Sequence, residues 1–334
     1  MVGSTFDSSQ RVPMTGREQT APCRRGHVVG TGFVALDRIH VGTTRPLFEE
    51  LGGSCGNVLI SLAMLGRPVV PLLLLGMDPV GARLERDLRL AGADTHHVAR
   101  VPEVHSPVVV ELLDPASGDH RFSSAWPESK DALGAFEPIT RRQLDTAKPL
   151  VTSCAIFYSD RVSGTICEAM EAAAAGGAIV YFEPSSIGEP ELFDRALATT
   201  HILKCSTERL PSDVIARLRP EAFGVVTAGE RGLELHHDGR SCRFPAHEVE
   251  ALKDACGSGD MVTVGLIDTL LQSWASCPSA LSIASMHAGI VAGQRLAAAN
   301  CAHVGARGLF REWGAPHARS ILAEVAAGVG RREP

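Results

Sequence analysis

The sequence predicts an α/β fold, with a mostly parallel central sheet, helices on both faces and a small β lid beside it. Three observations carry that reading. Short apolar runs alternate with helix-length stretches over most of the 334 residues, the rhythm of βα units laid into one sheet. Two segments, Phe33 to Phe48 and Ser106 to Phe122, break the rhythm, and Gly42, Pro46, Pro107 and Pro115 oppose long helices there. A content of 45% hydrophobic and 21% charged residues is that of a chain able to bury a core. At about 150 residues per domain, the length allows about two domains or one large α/β domain.

Taken in order, residues 1–25 hold Ser, Thr, Gln, Pro and Arg without periodicity and read as a disordered leader. His27-Val28-Val29-Gly30 opens a domain taken as 26–325, as a strand running into a glycine turn. Apolar residues at Val58, Leu59, Leu62, Ala63 and Leu65 place a helix over Gly56 to Leu65, with Gly66 as its stop. Val69 to Leu75 reads as a buried strand, and Gly81 to Leu90 as a charged amphipathic helix ended by Gly92. In the second extended segment Val108, Val110 and Leu112 alternate with Val109, Glu111 and Leu113 along a strand. Segments 33–48 and 106–122 together form the expected lid. Ala178 to Phe182, His201 to Leu203 and Gly224 to Thr227 are further strands, and residues 326–334 are left as a tail.

Charge and cysteine usage exclude several classes. Thirty-two basic against 38 acidic residues give a net charge of -6, the wrong balance for a nucleic-acid partner held by a basic surface. The longest apolar run, Val69 to Met77, is far short of the ~18 residues of a membrane span. Met1 to Gly26 lacks the apolar core of a signal peptide, so a cytoplasmic protein is expected. Nine cysteines form no C-x-x-C pair and read as reduced, small apolar residues. The thirteen histidines make no H-E-x-x-H or compact ligand set, so no structural metal site is predicted. His96-His97 and His236-His237 are read as surface or loop residues.

The strongest chemical signal is Asp254-Ala255-Cys256-Gly257-Ser258-Gly259-Asp260. It runs into a helix in which Val262, Leu266, Ile267 and Leu270 recur at helical spacing. Glycines at a helix mouth let backbone N–H groups converge on an anion, and the helix dipole adds positive potential. Asp260 just inside that terminus is suited to take the proton of an attacking hydroxyl while the N–H groups hold a transferring phosphoryl group. An ordinary capped turn would use the same residues. A second cluster, Gly52-Gly53-Ser54-Cys55-Gly56-Asn57, opens the first helix. It gives a ligand access to the main chain, with Asn57 as donor and acceptor. It is not a P-loop, for no Lys-Ser/Thr follows. Gly30-Thr31-Gly32-Phe33-Val34-Ala35 fits the dinucleotide pattern, but the helix that pattern requires is opposed by Gly42 and Pro46.

In order and spacing these segments resemble the ribokinase family, the PfkB carbohydrate kinases, over nearly all of residues 27 to 310. Gly52-Gly53 with Asn57 and Leu65-Gly66 matches the G-G-x-x-x-N…L-G signature, and Gly76 to Gly81 resembles G-x-D-x-x-G. Ala91 to Thr95 resembles A-G-V-D-T, Thr227 to Gly232 resembles T-x-G-x-x-G, and Asp254 to Asp260 matches D-T-x-G-A-G-D. The resemblance implies a three-layer α/β/α ribokinase-like fold and an ATP-dependent carbohydrate kinase, phosphorylating a hydroxyl of a sugar or sugar-like small molecule. It implies Asp260 as base, with Gly257, Ser258 and Gly259 as the anion hole. Asp37, Gly52, Gly53 and Asn57 would bind the sugar, and Lys204, Ser206, Thr227, Gly229, Gly232 and Gly305 would lie along the nucleotide. Magnesium would arrive with ATP. A monovalent cation, potassium, would sit at Asp254 and the Cys256 carbonyl.

The sequence also departs from that pattern. Ala255 and Ser258 replace the usual Thr and Ala, and Glu183-Pro184-Ser185 replaces D-P-N. In Lys204-Cys205-Ser206-Thr207-Glu208-Arg209, Ser206 stands for the Asn of K-x-N-x-x-E and Arg209 for its Glu. A nucleoside kinase of the same fold, or a nucleotide- or sugar-binding regulator without turnover, are the alternatives. Arg121 and Trp126 are lid candidates for substrate contact, and exposed lid edges favour a homodimer.

Overall fold

The computed structural model describes residues 26–41, 46–117, 119–123, 135–249, 251–276 and 281–329. The leader expected over 1–25, lid residue Gly42 and Trp126 lie outside the described residues. Eight strands form the main sheet, in the spatial order β14 (Arg240–Phe244), β13 (Leu233–His237), β12 (Phe223–Thr227), β11 (Ile202–Ser206), β10 (Ile179–Phe182), β9 (Ile156–Ser159), β1 (Val28–Thr31) and β4 (Val69–Pro71). The six from β12 to β4 are parallel, and β13 and β14 return antiparallel.

The parallel strands are apolar on both faces because both are covered. Val28, Ile156, Tyr158, Ile179, Tyr181 and Ile202 enter one core layer, while Val29, Phe157, Val180, Phe182 and Leu203 enter the other. The first layer is closed by α1 (Ser54–Met64), α2 (Pro79–Leu90), α6 (Ser258–Ser276), α7 (Ile283–Cys301) and α8 (Gly308–Val329), through residues such as Leu59, Leu62, Leu84, Leu266, Leu296 and Leu322. The second is closed by α3 (Arg141–Ser153), α4 (Gly164–Ala175) and α5 (Pro190–Thr199), through Leu144, Val151, Met170 and Phe193. This is the expected three-layer sandwich. The lid is a separate four-stranded sheet, ordered β3 (Phe48–Gly52), β2 (Ala35–Val41), β7 (Val108–Leu113) and β8 (His120–Ser123). The chain goes from β1 directly into β2, so the Gly30 to Ala35 segment opens no helix.

Three expectations need correction. The strand read over Val69 to Leu75 is two strands. Pro71 has no N–H to extend the ladder, and after Leu72 donates to the Gly30 carbonyl at 2.8 Å the chain leaves the main sheet. It continues as β5 (Leu73–Gly76), paired in parallel with β6 (Val98–Val101). His236 and His237 are in β13 rather than in a loop, and the His237 ring stacks on Phe223 with centroids 3.9 Å apart. The tail begins later than expected, because α8 continues to Val329.

Candidate active site

The site lies where the parallel strands end and α6 begins, the position at which open α/β sheets bind ligands. Gly257 adopts φ +70° there, and a Cβ at this position would come within 2.6 Å of the Ala306 backbone. Only glycine fits both demands. Met261 N–H starts the helical ladder on the Gly257 carbonyl, and Ser258 N–H is already donated to Ala255 at 3.2 Å. The first-turn N–H groups of Gly259 and Asp260 precede the ladder and suit an anion. Gly259 also leaves room for Lys204, whose Nζ lies 3.5 Å from where a Cβ would stand.

Lys204 reaches this point from buried β11 and is ion-paired with Glu183, at the end of β10. Thr263 donates to the same carboxylate at 2.6 Å, and Tyr158 at 3.3 Å. Asp260 sits beside this group. Burial, then the Glu183 charge, push its carboxyl up to about 7, against the lowering effects of the Asn57 hydrogen bond, Lys204 and Arg209. A carboxylate so placed is matched to proton abstraction near neutrality.

The residues expected to bind the sugar converge on the same acid. Asn57, one turn into α1, donates to Asp260 Oδ2 at 2.8 Å and accepts from Arg307. Arg307 also lies 3.4 Å from Glu50 on β3. Asp37, on β2, is buried against Gly52, where any Cβ would overlap its carboxylate. Burial raises Asp37 to about 7; Arg307 opposes the shift, while Glu50 and Asp260 add to it. Gly53 holds φ +77° at the N-terminus of α1, and its N–H donates to Asp37. Asp160, at the end of β9, accepts the N–H groups of Phe33 at 2.8 Å and Cys55 at 3.3 Å, fastening the lid entry and α1 to the main sheet.

The remaining predicted residues form two groups. Ser206 and Thr227 are register partners at the ends of β11 and β12, and Gly229 and Gly232 turn the chain just beyond. Gly232 approaches the Phe244 carbonyl where a side chain would clash. Gly305 stands on the lid side: its N–H donates to Asp254 at 2.7 Å, and its Cα packs near Glu50 and Phe48. Arg121 pairs with Leu112 across β7 and β8, on the opposite face from Glu111 and His120.

The sequence reading missed Thr263, the contact of Arg307 with Asn57, and the partners Glu111 and His120 of Asp254; the ligand atoms of these last three all lie within 4.8 Å of one another. No histidine motif announces that cluster, because two neighbouring lid strands and one distant loop build it. The available signal was one acid inside the apolar run Val108 to Leu113.

With this geometry in view, the comparisons are specific. The family model for pfkB family carbohydrate kinases matches residues 47–308. Among curated relatives, the bifunctional protein HldE of Methylococcus capsulatus is 27% identical over 269 residues, 74% of this chain and 53% of that protein. HldE of Pseudomonas fluorescens is 28% identical over 304 residues, 80% of this chain and 60% of that protein. The chain thus spans little more than half the length of the curated relatives it matches. Among solved structures, a Xylella fastidiosa fructokinase with bound ATP superposes with a TM-score of 0.72 at 20% identity, covering 90% of this chain and 99% of that one. Arabidopsis thaliana ribokinase complexed with ribose and ATP gives 0.66 at 16% identity, covering 90% and 98%. Their fold is the one described above, the family match takes in both glycine clusters, and the chain belongs to the pfkB family of carbohydrate kinases.

Proposed function

We propose that this chain transfers the terminal phosphoryl group of ATP to a hydroxyl of a sugar or sugar-like small molecule. One observation carries the reading: Asn57 bridges Asp260 to Arg307 and the lid, so the sugar-side residues and the phosphate-binding helix terminus share one cleft. Asp37, Gly52 and Asn57 orient the acceptor. Asp260 takes its proton as the oxygen attacks, and the first-turn N–H groups of α6 with Lys204 hold the charge on the moving group. Ser206, Thr227, Gly229 and Gly232 line the nucleotide side. Magnesium, supplied with the nucleotide, would neutralise phosphate charge when bound; a solved neighbour, a ribokinase II from E. coli, is in complex with ATP and Mg2+. Arg209, standing where the family pattern has Glu, adds positive charge near Asp260 rather than a metal ligand.

The lid excludes water so that ATP is not spent on hydrolysis. Leu47, exposed beside the edge strand β3, supports a homodimer formed through the lid edges. Among the described residues no helix is long and apolar enough to cross a membrane, in keeping with a cytoplasmic kinase.

The test is ADP release with a panel of sugars, sugar phosphates and nucleosides, with Asp260→Asn alongside. Sugar-dependent ADP formation that falls about 10²- to 10⁴-fold in Asp260→Asn is expected. Turnover at the wild-type rate in that variant refutes the role of Asp260. Turnover with nucleosides alone would make this a nucleoside kinase. Ligand-induced thermal stabilisation without ADP formation under any acceptor would make it a binding protein.

A further inference from the structure

We propose that Glu111, His120 and Asp254 bind a divalent transition-metal cation of the zinc or cobalt class, tying the lid to the loop that precedes α6. Glu111 is on β7 and His120 on the neighbouring β8. Their register, Leu113 opposite His120 and Glu111 opposite Phe122, sends both side chains to the same face of the lid sheet. Asp254 meets them from the other side of the cleft, with His120 Nδ1 3.6 Å from its Oδ1.

Two features separate this cluster from a chance meeting of acids. Glu111 is completely buried, and among the described residues neither its carboxylate oxygens nor His120 Nδ1 has a hydrogen-bond partner of good geometry; the side chains nearest the Glu111 carboxyl are the Cys256 thiol and Asp254. Buried polar atoms are ordinarily satisfied, so three orphan donor atoms converging on one point imply a missing partner. A cation is the partner that all three share. Asp254, also completely buried, is held in place by the N–H groups of Cys256 at 2.8 Å and Gly305 at 2.7 Å. That is how outer-shell contacts orient a metal ligand.

The donor set selects the ion. An imidazole nitrogen with two carboxylates suits zinc, cobalt and their neighbours, whereas potassium and magnesium take oxygen shells. Zinc bonds of about 2.0–2.2 Å hold tetrahedral ligands about 3.4 Å apart, so the three donors, all within 4.8 Å of one another, close by up to about 1.4 Å on binding. His120 is partly exposed at 23%, leaving an open side for water. The site therefore replaces, in this chain, the monovalent cation that the family resemblance implied at Asp254.

The test uses the full chain after chelator treatment, titrated with Co2+ in the absence of nucleotide and sugar and followed by visible absorption, calorimetry and thermal melting. It does not depend on the kinase reading. One Co2+ per chain, an absorption band from nitrogen and oxygen ligands and a raised melting midpoint are expected. Glu111→Gln and His120→Asn should each weaken binding by more than about tenfold. Their melting in chelator, compared with that of the parent chain, checks that both variants are folded. Equal Co2+ binding by the variants, no Co2+ binding, or a melting midpoint raised by K+ and unmoved by Co2+ would each overturn the proposal.

Discussion

At the α6 end of the cleft, Glu183 meets Lys204 as well as the hydroxyls of Thr263 and Tyr158, all carried by strand ends or by the helix itself. At the lid end, Asp37, Glu50, Glu111 and Asp254 crowd together, and Arg307 and Arg311 reach only part of the group. At the α6 end Glu183 is thus paired before a ligand arrives. The lid end carries surplus buried carboxylate, which a hydroxyl, a proton or a cation must satisfy. The first arrangement gives a rigid anchor; the second gives a surface whose energy changes when it closes on something.

The largest effect is expected at Lys204. Lys204→Met removes the counter-charge and leaves Glu183 buried. A loss of about 3–5 kcal/mol in denaturant unfolding is expected, and Asp260 loses a charge that favours its ionised form. The acid limb of the pH–rate profile should therefore move upward. If stability is unchanged, the pair is not the anchor described here.

At the lid end the expected effect falls on substrate binding. Gly52→Ala places a methyl group on the Asp37 carboxylate, displacing it from the acceptor. Loss of a charged hydrogen bond, about 1.5–3 kcal/mol, should raise the sugar KM roughly tenfold to a hundredfold. The ATP KM should stay near the parent value. A parallel rise for ATP would show that the two ends are not separable.

A third test is a pH dependence with opposite signs for rate and stability. Asp37 and Asp260 are raised from the usual 3.8 to about 7 in the folded, ligand-free chain. They bind protons more tightly folded than unfolded. Their contribution to stability is therefore present below about pH 4 and is lost as pH rises through about 7. Over the same interval Asp260 ionises, so kcat/KM should rise toward a plateau above about 7. Asp37→Asn should flatten the stability curve more than the rate curve. A stability curve that is unaltered by that substitution would refute the raised carboxyl.

Much of this was legible in the residues because local rules govern it. The glycine pair Gly52-Gly53 and the Gly257 to Asp260 run mark helix mouths by chemistry that acts over a few residues. The apolar runs at Val28, Ile179 and Ile202 read as strands because strands covered on both faces are continuously apolar. Pro71 was in plain view, yet whether it splits a strand depends on where Leu73 to Gly76 finds a partner, and that partner is β6. Arg307 and Glu111 were invisible as site residues, since each acquires its role from residues far away in the chain.

By itself, then, the sequence determined the glycine-marked mouths of α1 and α6, the alternation of strands and helices and the presence of an acid at 260, for these follow from propensity, period and backbone freedom. Tertiary structure alone decided which charges face one another. It set Lys204 against Glu183, Arg307 against Asn57, and Glu111 and His120 against Asp254. Coulomb and desolvation energies depend on distance and burial, and neither is defined until the sheet and its lid have closed around the cleft.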